Sequence, residues 1–398
     1  MYRTRSLAGC PYCATTSPDD TAGVTVASAD RLRHDLVDVL HRASDMREFS
    51  RRATRAIARR IAFDGVCLVS LDPATGLPTS EVSEHALTAD LNRRMAQIEV
   101  DADDFNVFRA LARSAWPAAS ISGATGGDLN RSRRHRELRA PNGFGDELRI
   151  TLVSAGVTWG GLTLLRRADR GPFTADDVEL TGSLSPYLAE GVRRSILLTA
   201  LRARRHEDED VAGLVLLAED DSILMTDAAG HAWLAQMDPH VLAGVARRAR
   251  TMAVGDDARL ARARVCAADG GWLIVRGSVL SGDRDACTAI TIEPAGGHDL
   301  APLIADAYGL TDRERLITQL VAQGLPTKAI SGHLRISPWT VQDHLKSVFE
   351  KVGVHTRGEL VSRVFLEHFE PCLSEGAAVG RDGWFDPSVP RGLTNATT

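Results

Sequence analysis

Residues 309–365, GLTDRERLITQLVAQGLPTKAISGHLRISPWTVQDHLKSVFEKVGVHTRGELVSRVF, leave the backbone less choice than any other part of this chain. Thr311 with Glu314 three residues on makes a capping box. Leu316, Ile317, Leu320 and Val321 give the helix that follows its buried face, and Gly324 ends it where a left-handed residue is favoured. Pro326 suits the first turn of a second helix, in which Ile330 and Leu334 point inward. Ser337 caps a third helix, with Pro338 at its first position. At about 100° per residue, Val341, Leu345, Val348 and Val352 of that helix share one stripe and pack inward. Trp339, Asp343, Lys346, Ser347 and Glu350 fall on the opposite side, with Gln342 at the flank. Gly353 stops the helix. Thr356 and Glu359 form a second capping box before a last amphipathic helix carrying Leu360, Val361, Val364 and Phe365.

Two short helices joined by a tight turn, the second with a polar outer face, fit a helix-turn-helix. The formal net charge of −5 gives no global basic field, so any surface for a polyanion must be local. The basic residues are unevenly chosen. Lys328, Lys346 and Lys351 are the only lysines in the chain, every other basic residue being arginine, and all three fall in this segment.

In order and spacing, LTDRE, VAQGL, KAI, ISPWTVQDHL, FEKVGV and RGELV resemble the LuxR-type DNA-binding domain. The resemblance implies a four-helix, all-α domain over 305–370 that reads the major groove of double-stranded DNA. It puts Lys328 and Thr340 at the backbone phosphates, with Lys351 near the backbone, and counts Ser337 among the DNA-binding residues. It puts Trp339, Gln342, Asp343 and Lys346 on the outer face of the recognition helix, the last three at base-facing positions. It makes the last helix, with Leu360, Val361, Val364 and Phe365, the contact of a homodimer on DNA, and it adds RNA polymerase as a further partner. A carboxylate on such a helix weakens affinity through repulsion from phosphates but can accept from a cytosine amino group. Asp343 is therefore either a specificity residue or a local partner of Lys346 or Ser347.

The upstream chain has other patterns. Residues 1–28 are rich in Ser, Thr, Asp, Gly and Pro and are expected to be a disordered arm, and 371–398 a flexible tail. The arm holds Cys10 and Cys13, spaced as in a redox or metal motif but without the strand a thioredoxin-like fold would need. From 30 to 62 Leu32, Leu36, Val39 and Leu40 form one helical face; GVCLVSLDP then reads as a strand ending in a turn at Pro73–Pro78. Residues 120–147 read as polar loop with an arginine cluster at Arg131, Arg133 and Arg134. ELRITLVSAGVTWGGLTLLRRA reads as two strands around Ser154-Ala155-Gly156. Thr174 and Asp177 then cap a long exit helix that Pro186 should kink or divide. Its stripe of Leu180, Leu184, Leu188 and Val192 either couples to a second copy or packs back on its own sheet. VTWGGLTLLRRADRGPFTADDVELTGSLSPYLAE carries a resemblance to GAF domains over 29–205. Some of these hold a small ligand and others are scaffolds. Cys67 and Trp159 are expected in its core. Residues 206–298, with a strand–acidic turn–strand–helix run, a hairpin turning at Ala268–Gly271 and a further strand in CTAITIEP, resemble a PAS domain. No exact repeat links the two regions.

The expected fold class is therefore multidomain α+β, two sensor-like regions followed by an all-α domain. Cys10, Cys13, Cys67, Cys266, Cys287 and Cys372 are too few and scattered for a secreted disulfide framework. No signal-like or membrane-length apolar segment is visible, so a cytoplasmic location with no membrane partner is expected. The expected function is DNA-binding transcription regulation, not enzymatic, with no cofactor identified beyond an unidentified small ligand for the GAF-like region. The alternatives are a thiol–disulfide protein using Cys10 and Cys13, and a signalling scaffold that has lost DNA affinity. No phosphoacceptor receiver pattern is present.

Overall fold

A computed structural model describes residues 26–84, 89–101, 103–202, 211–254, 261–280, 287–361, 378–379 and 385–386. Cys10, Cys13, Cys372, Val364 and Phe365, with most of the expected arm and tail, lie outside the described residues. The chain divides into two compact units, the first running to Thr199 and resuming at His206–Glu293, the second taking Ala200–Arg205 and the residues from Pro294 on.

The first unit opens with α1 (Val26–Arg42) and α2 (Met46–Ala58). Leu32, Leu36 and Leu40 are buried and Val39 half-buried, so the expected apolar face forms. Next come β1 (Gly65–Leu71), β2 (Pro78–Glu84), α3 (Ala89–Asp101) and the short α4 (Phe108–Leu111). β3 (Ala118–Ser120) and α5 (Ile121–Thr125) lead to a hairpin of β4 (Phe144–Ser154) and β5 (Val157–Arg167). Its two-residue turn places Ala155 at φ 51° and Gly156 at φ 77°, a pairing that suits the natural twist of a hairpin. These strands form one antiparallel sheet in the order β2-β1-β5-β4-β3. Trp159 is buried in it, as expected. Cys67 is only partly buried.

The exit helix is two helices, α6 (Ala175–Ser183) and α7 (Ser185–Arg202), with the break at Leu184 just before Pro186. Thr174 and Asp177 form the expected capping box. Leu180, Leu184, Leu188 and Val192 are all buried within the chain. Ser185 Oγ donates to the Thr151 carbonyl of β4 at 2.6 Å, and a Cβ on Gly191 would strike the Phe49 ring of α2. The stripe thus packs back on its own sheet and offers no face to a second copy.

A second sheet is built from β6 (Gly213–Leu217), β7 (Ile223–Thr226), α8 (Ala228–Leu234), α9 (Pro239–Val254), β8 (Ala261–Cys266), β9 (Trp272–Leu280) and β10 (Cys287–Pro294). Its strand order is β7-β6-β10-β9-β8, so it repeats the arrangement of the first sheet. The repeat is topological, which is why the sequence shows no exact counterpart. The two sheets belong to one unit. Leu77, from the β1–β2 turn, is buried in the core of the second sheet with Val215, Val241 and Val245. Arg264 Nη1 donates to Asp72 at 2.6 Å, both side chains being buried. Along α3, Asp101 accepts from Arg247 of α9 at 2.5 and 3.0 Å.

Residues 120–147 are not plain loop. Helical turns pass through them, and part of the arginine cluster points inward. Arg134 Nε donates to Glu147 at 2.8 Å, Arg139 Nε donates to the other oxygen of Glu147 at 2.5 Å, and Arg134 also meets Asp104 at 3.4 Å. Arg133 stays near the surface on Asp103 and Glu137, and Arg131 lies over the Phe105 ring. Burial favours a neutral Glu147, but Arg134, Arg139 and Arg149 outweigh it and hold the carboxyl well below the usual range.

The second unit contains α10 (Gly297–Ala307), α11 (Asp312–Ala322), α12 (Thr327–Leu334), α13 (Pro338–Val352) and α14 (Arg357–Leu360). Two short strands, β11 (Ala378–Val379) and β12 (Phe385–Asp386), pair further on. Among the described residues, no helix is long and apolar enough to cross a membrane.

Glu147→Gln leaves buried Arg139 without its counter-charge and Arg134 with only the longer contact to Asp104. It is expected to lower the unfolding free energy by about 3–5 kcal/mol, the range for breaking a buried pair. Denaturant unfolding of the chain followed by tryptophan fluorescence reads this, and a loss under about 1 kcal/mol, a surface-like value, would show that the network is not strongly coupled.

Candidate nucleic-acid interface

The start of α11 is held as the sequence predicts. Thr311 Oγ1 accepts from the Glu314 amide, and Glu314 accepts from the Thr311 amide at 2.7 Å, so two helix-end donors are satisfied reciprocally. The helix is enclosed on more sides than its apolar stripe indicates. Ile317, Leu320 and Val321 are buried, but so are Thr318 and Gln319, while Leu316 is only half-buried. Gly324 takes φ 80° just past the helix end.

Pro326 is the N-cap of α12 and not its first residue. The turn after α12 rests on Arg335 at φ 53°, a left-handed conformation that the sequence does not announce with glycine. Arg313 Nη2 donates to the Leu334 carbonyl at 3.0 Å and so satisfies an open end of α12. Arg357 likewise donates to the Leu325 carbonyl. Both arginines act inside the fold. Nothing in the sequence signals them, because each sits in the first turn of its own helix and serves a carbonyl 21 or 32 residues away.

α13 starts as expected, with the Thr340 amide donating to Ser337 Oγ at 3.0 Å and Pro338 in the first turn. Val341, Leu345, Val348 and Val352 are buried. Their shared direction forces the intervening residues outward. Lys328 on α12 and Trp339, Gln342, Asp343 and Lys346 on α13 are exposed, Trp339 to 74%. Ser337 is exposed and Thr340 half-buried, their hydroxyls 2.8 Å apart. Gln342 Nε2 donates to Thr327 Oγ1 at 3.1 Å, tying the outer face of α13 to the start of α12. Among the described residues Asp343, Lys328 and Lys346 have no hydrogen-bonding or ionic partner. Neither local pairing considered for Asp343 is present.

Lys351 and Ser347 depart from their expected places. Lys351 Nζ donates to Glu314 at 2.6 Å, and Ser347 Oγ donates to its other carboxylate oxygen at 2.6 Å. The reason lies in helical phase. Ser347 and Lys351 are four residues apart, one above the other, on the flank of α13 that meets the start of α11. Lys351 is thus an exposed residue whose ammonium is engaged by Glu314. Glu314 is only 4% exposed and binds α11 to α13. Burial raises its pKa, but hydrogen bonds from Lys351, Ser347 and Thr311 outweigh that and bring it down to about 2.

The last helix is described through Val361. Thr356 Oγ1 accepts from the Glu359 amide as expected, but the Glu359 carboxylate reaches one residue further back, to the His355 amide at 2.8 Å. Leu360 is 1% exposed and faces the interior of its own domain, while Val361 is half-buried.

This is a short helix pair, a capped second helix and an outward row of Lys, Gln, Asp, Lys and Trp. Residues 309–364 match the luxR family of bacterial regulatory proteins. Relatives of this luxR-type domain include the transcriptional regulatory protein UhpA of Escherichia coli. It is 37% identical over 83 residues, or 19% of this chain and 42% of that protein. The transcriptional regulatory protein DesR of Bacillus subtilis is 39% identical over 61 residues, 15% of this chain and 31% of that protein. The chain thus spans less than half the length of these curated relatives. A solved VqmA–ligand–DNA complex from Vibrio cholera aligns with 40% of this chain and 85% of its own at 13% identity and a TM-score of 0.23, a level at which no shared fold is inferred.

Glu314→Gln is expected to destabilise the luxR-type domain by about 1–3 kcal/mol, the range for unsatisfying a buried charged partner. In the wild type the pKa falls from 4.5 to about 2 on folding. Its stabilisation is therefore complete above the unfolded value and is lost as pH drops through that interval. Thermal unfolding of wild type and Glu314→Gln from neutral to strongly acidic pH should give curves that converge in acid. A constant gap at all pH values would assign the loss to packing.

Proposed function

We propose that this chain is a transcription regulator whose luxR-type domain lays α13 in the major groove of double-stranded DNA. The observation that carries this reading is the composition of the outward face. Lys328 and Lys346 are free cations on adjoining helices, with Arg335 exposed in the turn between them, while Arg313, Arg315 and Arg357 are bonded to carbonyls or carboxylates within the fold. Lys328, Ser337 and Thr340 stand at the phosphates, and Gln342, Asp343 and Lys346 at the base edges. Trp339 packs its exposed ring against the sugar-phosphate backbone at the start of the helix.

The two-sheet unit is the sensory part, GAF-like in its first sheet and PAS-like in its second. The five-stranded sheets with helices on their faces support that reading. The regulator works in the cytoplasm as a homodimer on DNA, with α14 and the residues after it, including Val364 and Phe365, as the contact. Leu360 serves that contact from inside, by holding the helix on its domain. RNA polymerase is the partner through which bound DNA affects transcription.

Lys346→Ala is expected to weaken DNA binding. If the ammonium neutralises one phosphate, the slope of log K against log salt becomes less steep by about 0.9. If it reads guanine, about 1–3 kcal/mol of discrimination disappears at one base pair. Gel shift on selected fragments over a salt series measures both, and an unchanged affinity with an unchanged slope would remove Lys346 from the interface.

Asp343→Ala is expected to leave folding intact, because the side chain is exposed and unpartnered. It should hold or tighten non-specific binding and flatten the preference for one base pair. In a two-fold site that base pair occurs twice. Randomised-site selection with both proteins reads this, and identical motifs with equal information at every position would overturn the role.

A further inference from the structure

A cavity of about 400 Å³ lies over one face of the first sheet, walled by α3 and α4 and closed at one end by Gly244 and Arg248 of α9. Its volume is within the ~300–1,000 Å³ range of small-molecule sites. Cys67, Val69 and Leu71 are alternate residues of β1 and enter it from the same side of the sheet. Leu77, Val100 and Phe108 extend the apolar wall. Phe108 fits against the sheet because Gly161 has no side chain, a Cβ there falling 2.2 Å from the ring.

The charges around this cavity do not balance. Glu99 on α3 is taken by Arg149 at 2.8 Å and by the Phe108 amide at 2.5 Å. Arg139 is taken by Glu147. Glu81 stands at the inner end beside Cys67, whose thiol burial and Glu81 push up together. At the outer end Arg109, Arg113 and Arg248 have no carboxylate partner among the described residues. Arg248 donates only a long bond, 3.4 Å, to the Thr75 carbonyl, and its Nε is buried without a partner. Burial and the neighbouring Arg109 both lower its pKa. Arg109 and Arg248 also line an adjoining hollow of about 530 Å³ whose acids are already used, Asp101 by Arg247 and Asp103 by Arg133. Two cations facing each other, one of them half-buried, are unfavourable unless an anion joins them.

We propose that Arg109 and Arg248 form a two-arginine clasp for the carboxylate or phosphate group of a small amphiphilic molecule, whose apolar part enters the cavity along Val69, Leu71 and Phe108. The proposal rests on the sensory reading of this unit and adds the chemical class of its input. It also gives that input a mechanical consequence. Arg109 sits on α4, beside the first sheet, and Arg248 on α9, beside the second. An anion between them replaces repulsion by two charge-assisted contacts and tightens the junction of the sheets.

The full chain is titrated with octanoate, octyl phosphate, octanamide and inorganic phosphate, by calorimetry and thermal unfolding at matched ionic strength and without DNA. Octanoate or octyl phosphate should raise the melting temperature in a concentration-dependent way, beyond octanamide (tail without charge) and inorganic phosphate (charge without tail). The better of the two identifies the headgroup. The Arg109→Gln/Arg248→Gln variant should melt no lower than wild type when free, because a repulsion has been removed. It should bind the charged amphiphile about tenfold or more weakly, the loss expected for a charge-assisted bond, with its response to octanamide unchanged. A wild-type response to octanamide equal to that to the charged amphiphiles overturns the proposal. So does an undiminished response of the variant, or no response of the wild type to any of the four. Because DNA takes no part, such a failure leaves the reading of α13 standing, and failure of the gel shift leaves this test intact.

Discussion

Taking a charge out of water costs several kcal/mol unless a counter-charge and hydrogen bonds meet it inside the protein. This chain accepts that cost repeatedly, and its architecture depends on how each case is met. Around β4, Arg134 and Arg139 converge on Glu147 while Arg149 is held by Glu99. Between the sheets, Asp72 meets Arg264. In the second unit, Glu314 meets Lys351. Ion pairs of this kind add little net stability over apolar packing. What they impose is geometry, because a guanidinium or carboxylate left a few ångströms from its partner is penalised far more than a misplaced methyl group.

Glu314 illustrates what such geometry does for an interface. Its two oxygens accept from the start of α11 on one side and from Ser347 and Lys351 of α13 on the other. The angle at which α13 presents its outer face is thereby tied to the domain's first helix. Of the three lysines, one is used to set that posture and two stand exposed on the adjoining helices.

The C-terminal helices were legible in nearly every detail because caps and stops are local signals. Thr311, Ser337, Gly353 and the Val341–Val352 stripe depend on residues within a turn or two. Contacts between helices were not legible. Lys351 gives no sign that α11 brings Glu314 to its ammonium, and Arg335 carries no sign that it must adopt a left-handed turn. The first unit was legible as strands, turns and the Thr174 cap. Residues 120–147 misled because arginine normally marks solvent, and only the fold reveals the acids that let Arg134 lie inside. Helix α9 went unread, its mixture of alanines and arginines masking the Val241–Val245–Ala249 stripe. The match of strand order between the sheets was invisible because topology is set by long-range pairing, which leaves no repeated residues.

That shared order places the first and last strands of each sheet side by side at its centre. Gly65 at the start of β1 pairs with Leu165 near the end of β5, and Gly213 at the start of β6 pairs with Ile292 near the end of β10. The polypeptide therefore enters and leaves each sheet at neighbouring points, as thread does a bead. Segments whose ends lie together can be inserted, duplicated or exchanged in a gene without stretching the flanking chain. A protein assembled this way can gain or lose one such sheet during evolution while the chain on either side keeps its course.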